Sequence, residues 1–435
     1  MHIAPKASCD KARTCAYRLV LRVINHRETL DIAMNKEPSW THLDTRDKSF
    51  TRQLLGCSLR HKGQLEQYVQ NFLSKPLPAR KQDVGLILLL ASAEHFFMRS
   101  PKHAIVNQYV NLAASSGKTR PFKSLINAIL RKVCAGNIEQ LPFPNQNIPP
   151  FLQQRWEKNY GQNWLKALSE ALLHEPPLDI YLKTGKKPPQ GAIHLIGNCW
   201  RIEKREQDIT ILDGYKEGHW WVQDFAAQLP LYLTNQKLGS FENLKVLDLC
   251  AAPGGKTMQL ANQGAAVTAL DIDLRRLKRL EENLKRTKLS ARLHSVDALK
   301  YQEKTIFDLV VIDAPCSATG TLRRRPELLF LRNEKSLLRN VDLQKNLLAK
   351  AVQLTKAKGY ILYIVCSLEP EEGPVLLNNI ETLGLKPIPL NPNTLLSESL
   401  FEKHGMLQTA PHLYCLDSGK TKGMDGFFAA LMQKK

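Results

Sequence analysis

Two cysteines fifty residues apart each close an apolar run of strand-like composition. Cys316 ends Leu309-Val310-Val311-Ile312-Asp313-Ala314-Pro315, and Cys366 ends Tyr360-Ile361-Leu362-Tyr363-Ile364-Val365 ahead of Ser367. In an open α/β sheet the carboxyl ends of parallel strands converge on one crevice, where such sheets bind ligands. Two thiols aimed at one crevice suit covalent nucleophilic chemistry. They do not establish it alone, because inert packing is the commoner fate of a buried cysteine. That bland reading stands for Cys9, Cys15, Cys57, Cys134, Cys199 and Cys415.

The first strand of the alternating region ends in Asp248-Leu249-Cys250-Ala251-Ala252-Pro253-Gly254-Gly255-Lys256-Thr257. Small residues at a strand-to-helix turn let backbone approach a ligand closely. Gly255-Lys256-Thr257 fit the end of a phosphate-binding P-loop, and Val311-Ile312-Asp313 would pass for its partner strand. However, the leading glycine that wraps the phosphates is Cys250 here. The competing reading is a nucleoside site. Asp271 follows a second strand-like run, where a carboxylate accepts from both ribose hydroxyls. Asp297 follows a third and is placed for an adenine edge; Asp313 follows a fourth. Any one of these aspartates also reads as a helix N-cap or a turn residue.

The elements that must position these residues fall into two patterns. Residues 10–135 carry apolar positions at three and four spacing, as in Leu65, Val69, Phe72 and Leu73, with breakers at Pro76, Pro78, Pro101 and Pro121. This predicts an all-α domain over residues 1–140, of six or seven helices, with the wholly apolar Leu86–Leu90 stretch in its central helix. Residues 141–155 read as a Pro- and Asn-rich linker, and 141–240 as that linker plus a small α/β subdomain with a helix near 164–173. From 241 to 435 strands (245–249, 266–270, 292–296, 307–312, 360–365) alternate with helices (255–263, 274–288, 337–356). Such alternation predicts a Rossmann-like, doubly wound parallel sheet.

The formal net charge is +20. Residues 1–140 hold 22 Lys and Arg against 10 Asp and Glu, so +12 of the +20 lies in the first third. That is the electrostatic footprint of a nucleic-acid partner, with a merely soluble basic surface or an anionic membrane surface as alternatives. The longest apolar run, Val84–Ala93, is too short to span a bilayer. The first residues have no apolar signal core, which predicts a reduced cytoplasmic compartment. Nine cysteines without a CxxC pair favour neither a disulfide framework nor a zinc site.

Taken in order, DLCAAPGGKT, DIDLRRL, DAPCSATG with RRRPE, and VCSLEPEEG resemble the motif series of the RNA cytosine-5 methyltransferase family. HAIVNQYVNLA and LINAILRKV resemble helices of the NusB-type RNA-binding domain. GHWWVQDFAAQ (218–228) resembles the segment leading into that family's catalytic domain, and GMDGFF (423–428) its final strand. Domain pairing and motifs together resemble the ribosomal, Sun/Fmu-type branch, and cover nearly the whole chain.

The resemblance implies S-adenosyl-L-methionine as cofactor, held by Cys250, Ala251, Ala252, Pro253, Gly254, Gly255 and Lys256, with Asp271 at the ribose and Asp297 at the adenine. Asp313 would lie between cofactor and base. It implies Cys366 as the nucleophile toward carbon 6 of cytosine and Cys316 as the residue that assists release. The implied partner is 16S ribosomal RNA before full subunit assembly, with no membrane or metal and the chain a monomer. Arg323, Arg324 and Arg325 are expected to meet RNA phosphates, while the basic helix from Arg275 reads as solvated surface. The family places Thr before the nucleophile where this chain has Val365, which predicts a tuned site. A catalytically impaired RNA-binding or assembly factor, and the same chemistry on transfer RNA or DNA, are the alternatives; the DNA enzymes attack from the Pro-Cys cysteine.

Overall fold

The computed structural model describes residues 10–78, 81–203, 208–302, 306–390, 396–413 and 423–435. Cys9 and Cys415 lie outside the described residues. The chain divides into two compact units, Met1–His174 with Leu322–Arg332, and Glu175–Thr321 with Asn333–Lys435.

The first unit is helical. Its helices are α1 (Lys11–His26), α2 (Leu30–Lys36), α3 (Pro38–Thr41), α4 (Thr45–Arg60), α5 (Lys62–Gln70), α6 (Gln82–Phe97), α7 (Lys102–Ser115), α8 (Lys123–Val133), α9 (Pro150–Tyr160) and α10 (Gln162–Ala171). The expected central helix is α6: Leu86 to Ala93 are buried throughout, against α1, α4, α5, α7 and α8. Asp10 starts α1 by accepting from the Arg13 amide at 2.9 Å, the cap that leaves the first turn's donors satisfied. Glu94 is fully buried within α6, where Arg13 Nε donates to it at 2.8 Å and the Tyr109 hydroxyl at 3.0 Å.

The segment expected as a linker and small subdomain does not stand apart. Residues through His174 pack with the helical unit, and those from Glu175 with the other. Proline is tolerated in a first helical turn, so Pro150 starts α9 inside the expected linker, and Leu152 and Trp156 are buried from it.

In the second unit, β1 (Leu178–Leu182), β2 (Ile193–Ile196), β3 (Cys199–Ile202) and β4 (Trp220–Val222) form an antiparallel sheet in the order β2-β3-β1-β4. The larger sheet contains β5 (Lys245–Leu249), β6 (Ala266–Asp271), β7 (Arg292–Ser295), β8 (Phe307–Asp313), β9 (Thr355–Val365), β10 (Leu385–Ile388), β11 (Leu407–Gln408) and β12 (Phe428–Lys434). Its order is β10-β12-β9-β8-β5-β6-β7, with β11 added to β12. Strands β5 to β9 pair in parallel as expected. Because β12 runs antiparallel beside β9, the sheet is mixed at that edge. The GMDGF motif (423–427) leads into β12, which starts at Phe428.

From β5 the chain winds outward to β6 and β7, then returns to the other side of β5 for β8 and β9. The order therefore reverses between β5 and β8, and the crevice beyond their carboxyl ends is where a doubly wound sheet binds ligands. Helices α11 (Phe225–Leu238), α12 (Gly255–Asn262), α13 (Leu274–Thr287) and, after the short α14 (Leu328–Leu331) of the helical unit, α15 (Glu334–Leu354) complete the set. In α13 the leucines at 277, 280 and 284 are buried while Arg275, Arg276, Lys278 and Arg279 are exposed, so its basic face is solvated. Among the described residues, no helix is long and apolar enough to cross a membrane, and no group of three His, Cys, Asp or Glu could hold a metal ion.

Candidate active site

At the end of β5, Asp248 is fully buried and accepts from the Thr257 hydroxyl at 2.6 Å. Burial pushes its carboxyl up to about 7; the charges of Asp313 and Asp271 add to this, and the Thr257 hydrogen bond and Lys256 oppose it. Cys250 follows in a left-handed conformation (φ 62°), and burial among Asp313, Asp271 and Asp248 pushes its thiol up to about 12. It is thereby held as an unionised wall of the crevice. Gly254 has φ 107°, and a Cβ there would lie 2.1 Å from Leu280 of α13, so this turn requires glycine.

Lys256, 7% exposed, donates to Asp313 at 2.7 Å and lies 5.3 Å over the Phe427 ring. The β5 loop and the β8 end are thus joined across the switch point by one ion pair, with the half-exposed Asp313 carboxylate facing the crevice. Asp271, at the end of β6, accepts from the Ala252 amide at 3.1 Å and the Asp273 amide at 2.9 Å, which fixes the β5 loop to the β6 loop. Asp297 accepts from the Leu299 amide at 3.0 Å and caps a short 3-10 turn.

Register places the two expected thiols together. Asp313 pairs with Ile364 across β8 and β9, so the loops that follow leave the sheet side by side. Cys316 Sγ and Cys366 Sγ lie 3.4 Å apart, both half-buried and both free thiols. The hydrogen bond to Cys366 and burial hold the Cys316 thiol well above its ordinary range, and the charges of Cys366 and Glu372 add to this. Behind the sulfurs, Gly320 donates to the Cys366 carbonyl at 3.1 Å, and Gly426 donates to the Gly320 carbonyl at 2.8 Å. A Cβ on Gly320 would lie 1.7 Å from the Gly426 carbonyl oxygen, so these two backbones touch.

Cys316, Cys366, Asp313, Lys256 and the Cys250–Gly255 loop therefore sit at one crevice of the second unit, with Asp271 and Asp297 at the adjoining strand ends. Of the three arginines expected to meet RNA, Arg323 is the one the structure buries. Residues Leu322–Arg332 belong to the helical unit, where Leu322, Leu328 and Leu329 are buried. Arg323 is only 4% exposed and its carbonyl accepts from Arg60 at 2.8 Å, so burial removes it from any RNA-facing surface. Arg325 pairs with Glu327 at 3.5 Å; Arg324 and Arg325 remain half-exposed. The sequence reading missed Glu372 and Phe427 as parts of the site. Glu372 lies inside VCSLEPEEG, but nothing in the spacing separates it from Glu369 and Glu371.

Fold and crevice define the class: an α/β methyltransferase domain with a NusB-type helical domain before it. The family model described as 16S rRNA methyltransferase RsmB/F matches residues 236–433, and the NusB family model matches residues 10–135. The Ribosomal RNA small subunit methyltransferase B of Photorhabdus laumondii is 31% identical over 392 residues, 83% of this chain and 87% of that protein. The protein of the same name from Cronobacter sakazakii is 29% identical over 445 residues, 97% of this chain and 98% of its own length. The crystal structure of PH0851 aligns over the whole of both chains with a TM-score of 0.71 at 21% identity, a likeness of fold. The chain belongs to the ribosomal RNA small subunit methyltransferase B family.

The cofactor of this methyltransferase family is S-adenosyl-L-methionine, and the crevice fits it. Asp271 and Asp313 end the strands on either side of β5, carboxylates that suit ribose hydroxyls and a sulfonium cation. Cys250 at the leading glycine position sets aside the P-loop reading.

Proposed function

We propose that this chain methylates carbon 5 of a cytosine in small-subunit (16S) ribosomal RNA through a covalent adduct with Cys366. The observation that carries this reading is the 3.4 Å approach of the two sulfurs beside the Asp313–Lys256 pair. Carbon 5 of cytosine is too weak a nucleophile to take a methyl group unaided. The Cys366 thiolate adds to carbon 6, and the electrons of the 5,6 double bond pass to carbon 5. S-adenosyl-L-methionine, when bound, supplies the electrophilic methyl group that carbon 5 accepts. Transfer of the carbon 5 proton to solvent then re-forms the double bond and expels Cys366 as thiolate, with Cys316 assisting release. Asp313 hydrogen-bonds the base edge and favours addition, and Lys256 keeps that carboxylate in place. The Cys250–Lys256 loop and Asp271 hold the cofactor, with Asp297 on the adenine side.

The base must leave its stack to reach the sulfur, which favours unpaired RNA met before subunit assembly is complete. Such a substrate goes with a cytoplasmic location. In the helical unit, a groove between α7 and α8 is lined by Lys102, His103, Asn107, Asn127 and Arg131, and no acid lines it. Its charge suits RNA backbone. The test is transfer of labelled methyl groups to 16S ribosomal RNA from cells lacking the protein, with the product nucleoside identified. The expected product is 5-methylcytidine at a discrete site. Cofactor-bound, folded protein that transfers nothing to this RNA would sink the reading.

A further inference from the structure

Glu372 is fully buried, and among the described residues no Lys, Arg or His forms an ion pair with it. Its carboxylate is satisfied by neutral donors instead. Oε1 accepts from the Ser317 amide at 2.8 Å and from Asn340 Nδ2 of α15 at 3.1 Å. Oε2 accepts from the Ser317 hydroxyl and the Ser367 hydroxyl, each at 2.5 Å. These two serines are the residues immediately after Cys316 and Cys366. One carboxylate oxygen therefore ties together the chain positions that carry both thiols, fifty residues apart in sequence.

The surrounding bonds make this anchor stiff. Gln344, also on α15, donates to the Pro315 carbonyl at 2.9 Å, just before Cys316. The Tyr363 hydroxyl of β9 donates to the Glu372 carbonyl at 2.8 Å, which fixes the short turn bearing the carboxylate. The Ser367 hydroxyl also accepts from the Glu369 amide at 3.0 Å, and Thr319 accepts from the Leu368 amide at 3.0 Å. Charge-assisted hydrogen bonds in a dry interior are the strong, geometry-setting kind. Carboxylate capping of a single loop would need only one of these serines.

We infer that Glu372 is a positioning residue that holds the Cys316 and Cys366 loops in register, so that both thiols meet one target base. This rests on the proposed roles of the two thiols, and it adds the residue that keeps them in one geometry. Glu372 touches neither sulfur, and its negative charge is one of the influences that keep Cys316 protonated.

The test reads geometry and turnover separately in the full-length protein. Dibromobimane bridges only thiols that lie close together, and peptide mapping identifies the Cys316–Cys366 product. In Glu372→Gln, bridging of this pair is expected to slow by about tenfold, because the amide replaces a charged acceptor of four close donors. Cofactor affinity should stay within about twofold, while kcat falls by about 100-fold, the effect expected of a misplaced reacting group. Wild-type bridging and wild-type kcat in Glu372→Gln would overturn the inference. If that variant fails to bind cofactor, the Ser317→Ala, Ser367→Ala double variant is read instead; slowed bridging supports the role and unchanged bridging overturns it. Slowed bridging in Glu372→Gln supports the positioning role even if the wild-type protein methylates no RNA, an outcome that would defeat only the methyl-transfer reading.

Discussion

The Cys316 and Cys366 sulfurs lie 3.4 Å apart on loops that leave two neighbouring parallel strands, so both can meet one target base. The bond to Cys366, burial and nearby negative charge all favour the protonated form of Cys316. With Cys366 as the proposed nucleophile, Cys366→Ala is expected to abolish the protein–RNA adduct and lower methyl transfer by roughly a thousandfold or more, as loss of a nucleophile does. Cys316→Ala should still form the adduct but release it poorly, so a covalent complex accumulates on denaturing gels. An adduct trapped by Cys366→Ala and absent from Cys316→Ala would reverse the assignment.

Gly320 binds the Pro-Cys loop to the segment before β12. A Cβ at this position meets the Gly426 carbonyl oxygen, and backbone cannot swing aside as a side-chain tip can. The Gly320 amide also holds the Cys366 carbonyl. Gly320→Ala should displace both loops and lower kcat by about 100-fold, and cofactor affinity, measured by calorimetry, should change less than kcat because Lys256 of the β5 loop keeps its bond to Asp313.

Much of this site was legible because parallel strands advertise themselves. The apolar runs before Asp271, Asp313 and Cys366, and the shorter one before Asp248, read as buried strands alternating with helices, whose carboxyl ends share a crevice. What did not show was anything depending on burial between distant segments. Three arginines in a row read as a solvated, phosphate-facing run, but Leu322, Leu328 and Leu329 draw them into the helical unit, and Arg323 is buried with them. Glu372 is invisible for the same reason: its role arises from two serines fifty residues apart that converge only after β8 and β9 pair. At Val365, where the resemblance pointed to a threonine, the side chain is fully buried in the apolar cluster with Tyr363 and Phe428.

Asp248 gives a pH dependence of known sign. Its folded-state value, about 7, lies above the value of about 3.9 for an exposed aspartate. Between these two values the folded protein keeps a proton that the unfolded chain has lost, so this group's contribution falls as pH rises through the window. The slope approaches about 1.4 kcal/mol per pH unit and vanishes above about pH 7. Asp248→Asn cannot titrate and still accepts from Thr257. Its stability relative to wild type, from urea unfolding at pH 5, 6, 7 and 8, should rise up to pH 7 and then level off.

Glu94 is the equivalent buried charge of the helical unit. Arg13 and Tyr109 both donate to it inside the bundle, so removing it leaves a largely buried guanidinium and a buried hydroxyl without their acceptor. Glu94→Ala is expected to cost about 3–5 kcal/mol, seen as an earlier unfolding transition of helical signal. Glu94→Gln, which keeps the shape and one acceptor, should cost less.

The α7–α8 groove is where the RNA reading of the helical unit can be checked without touching the crevice. Lys102 and Arg131 are exposed there, with His103, Asn107 and Asn127 between them. Each cation that meets a phosphate releases counterions, so its contribution appears in the salt dependence of binding. The Lys102→Glu, Arg131→Glu double variant should bind 16S ribosomal RNA more weakly, with a log–log salt slope shallower by about two. Its cofactor affinity should equal wild type, because neither residue belongs to the catalytic unit. Filter binding across a series of salt concentrations measures both quantities. An unchanged affinity and slope would move the RNA-docking surface elsewhere on the chain.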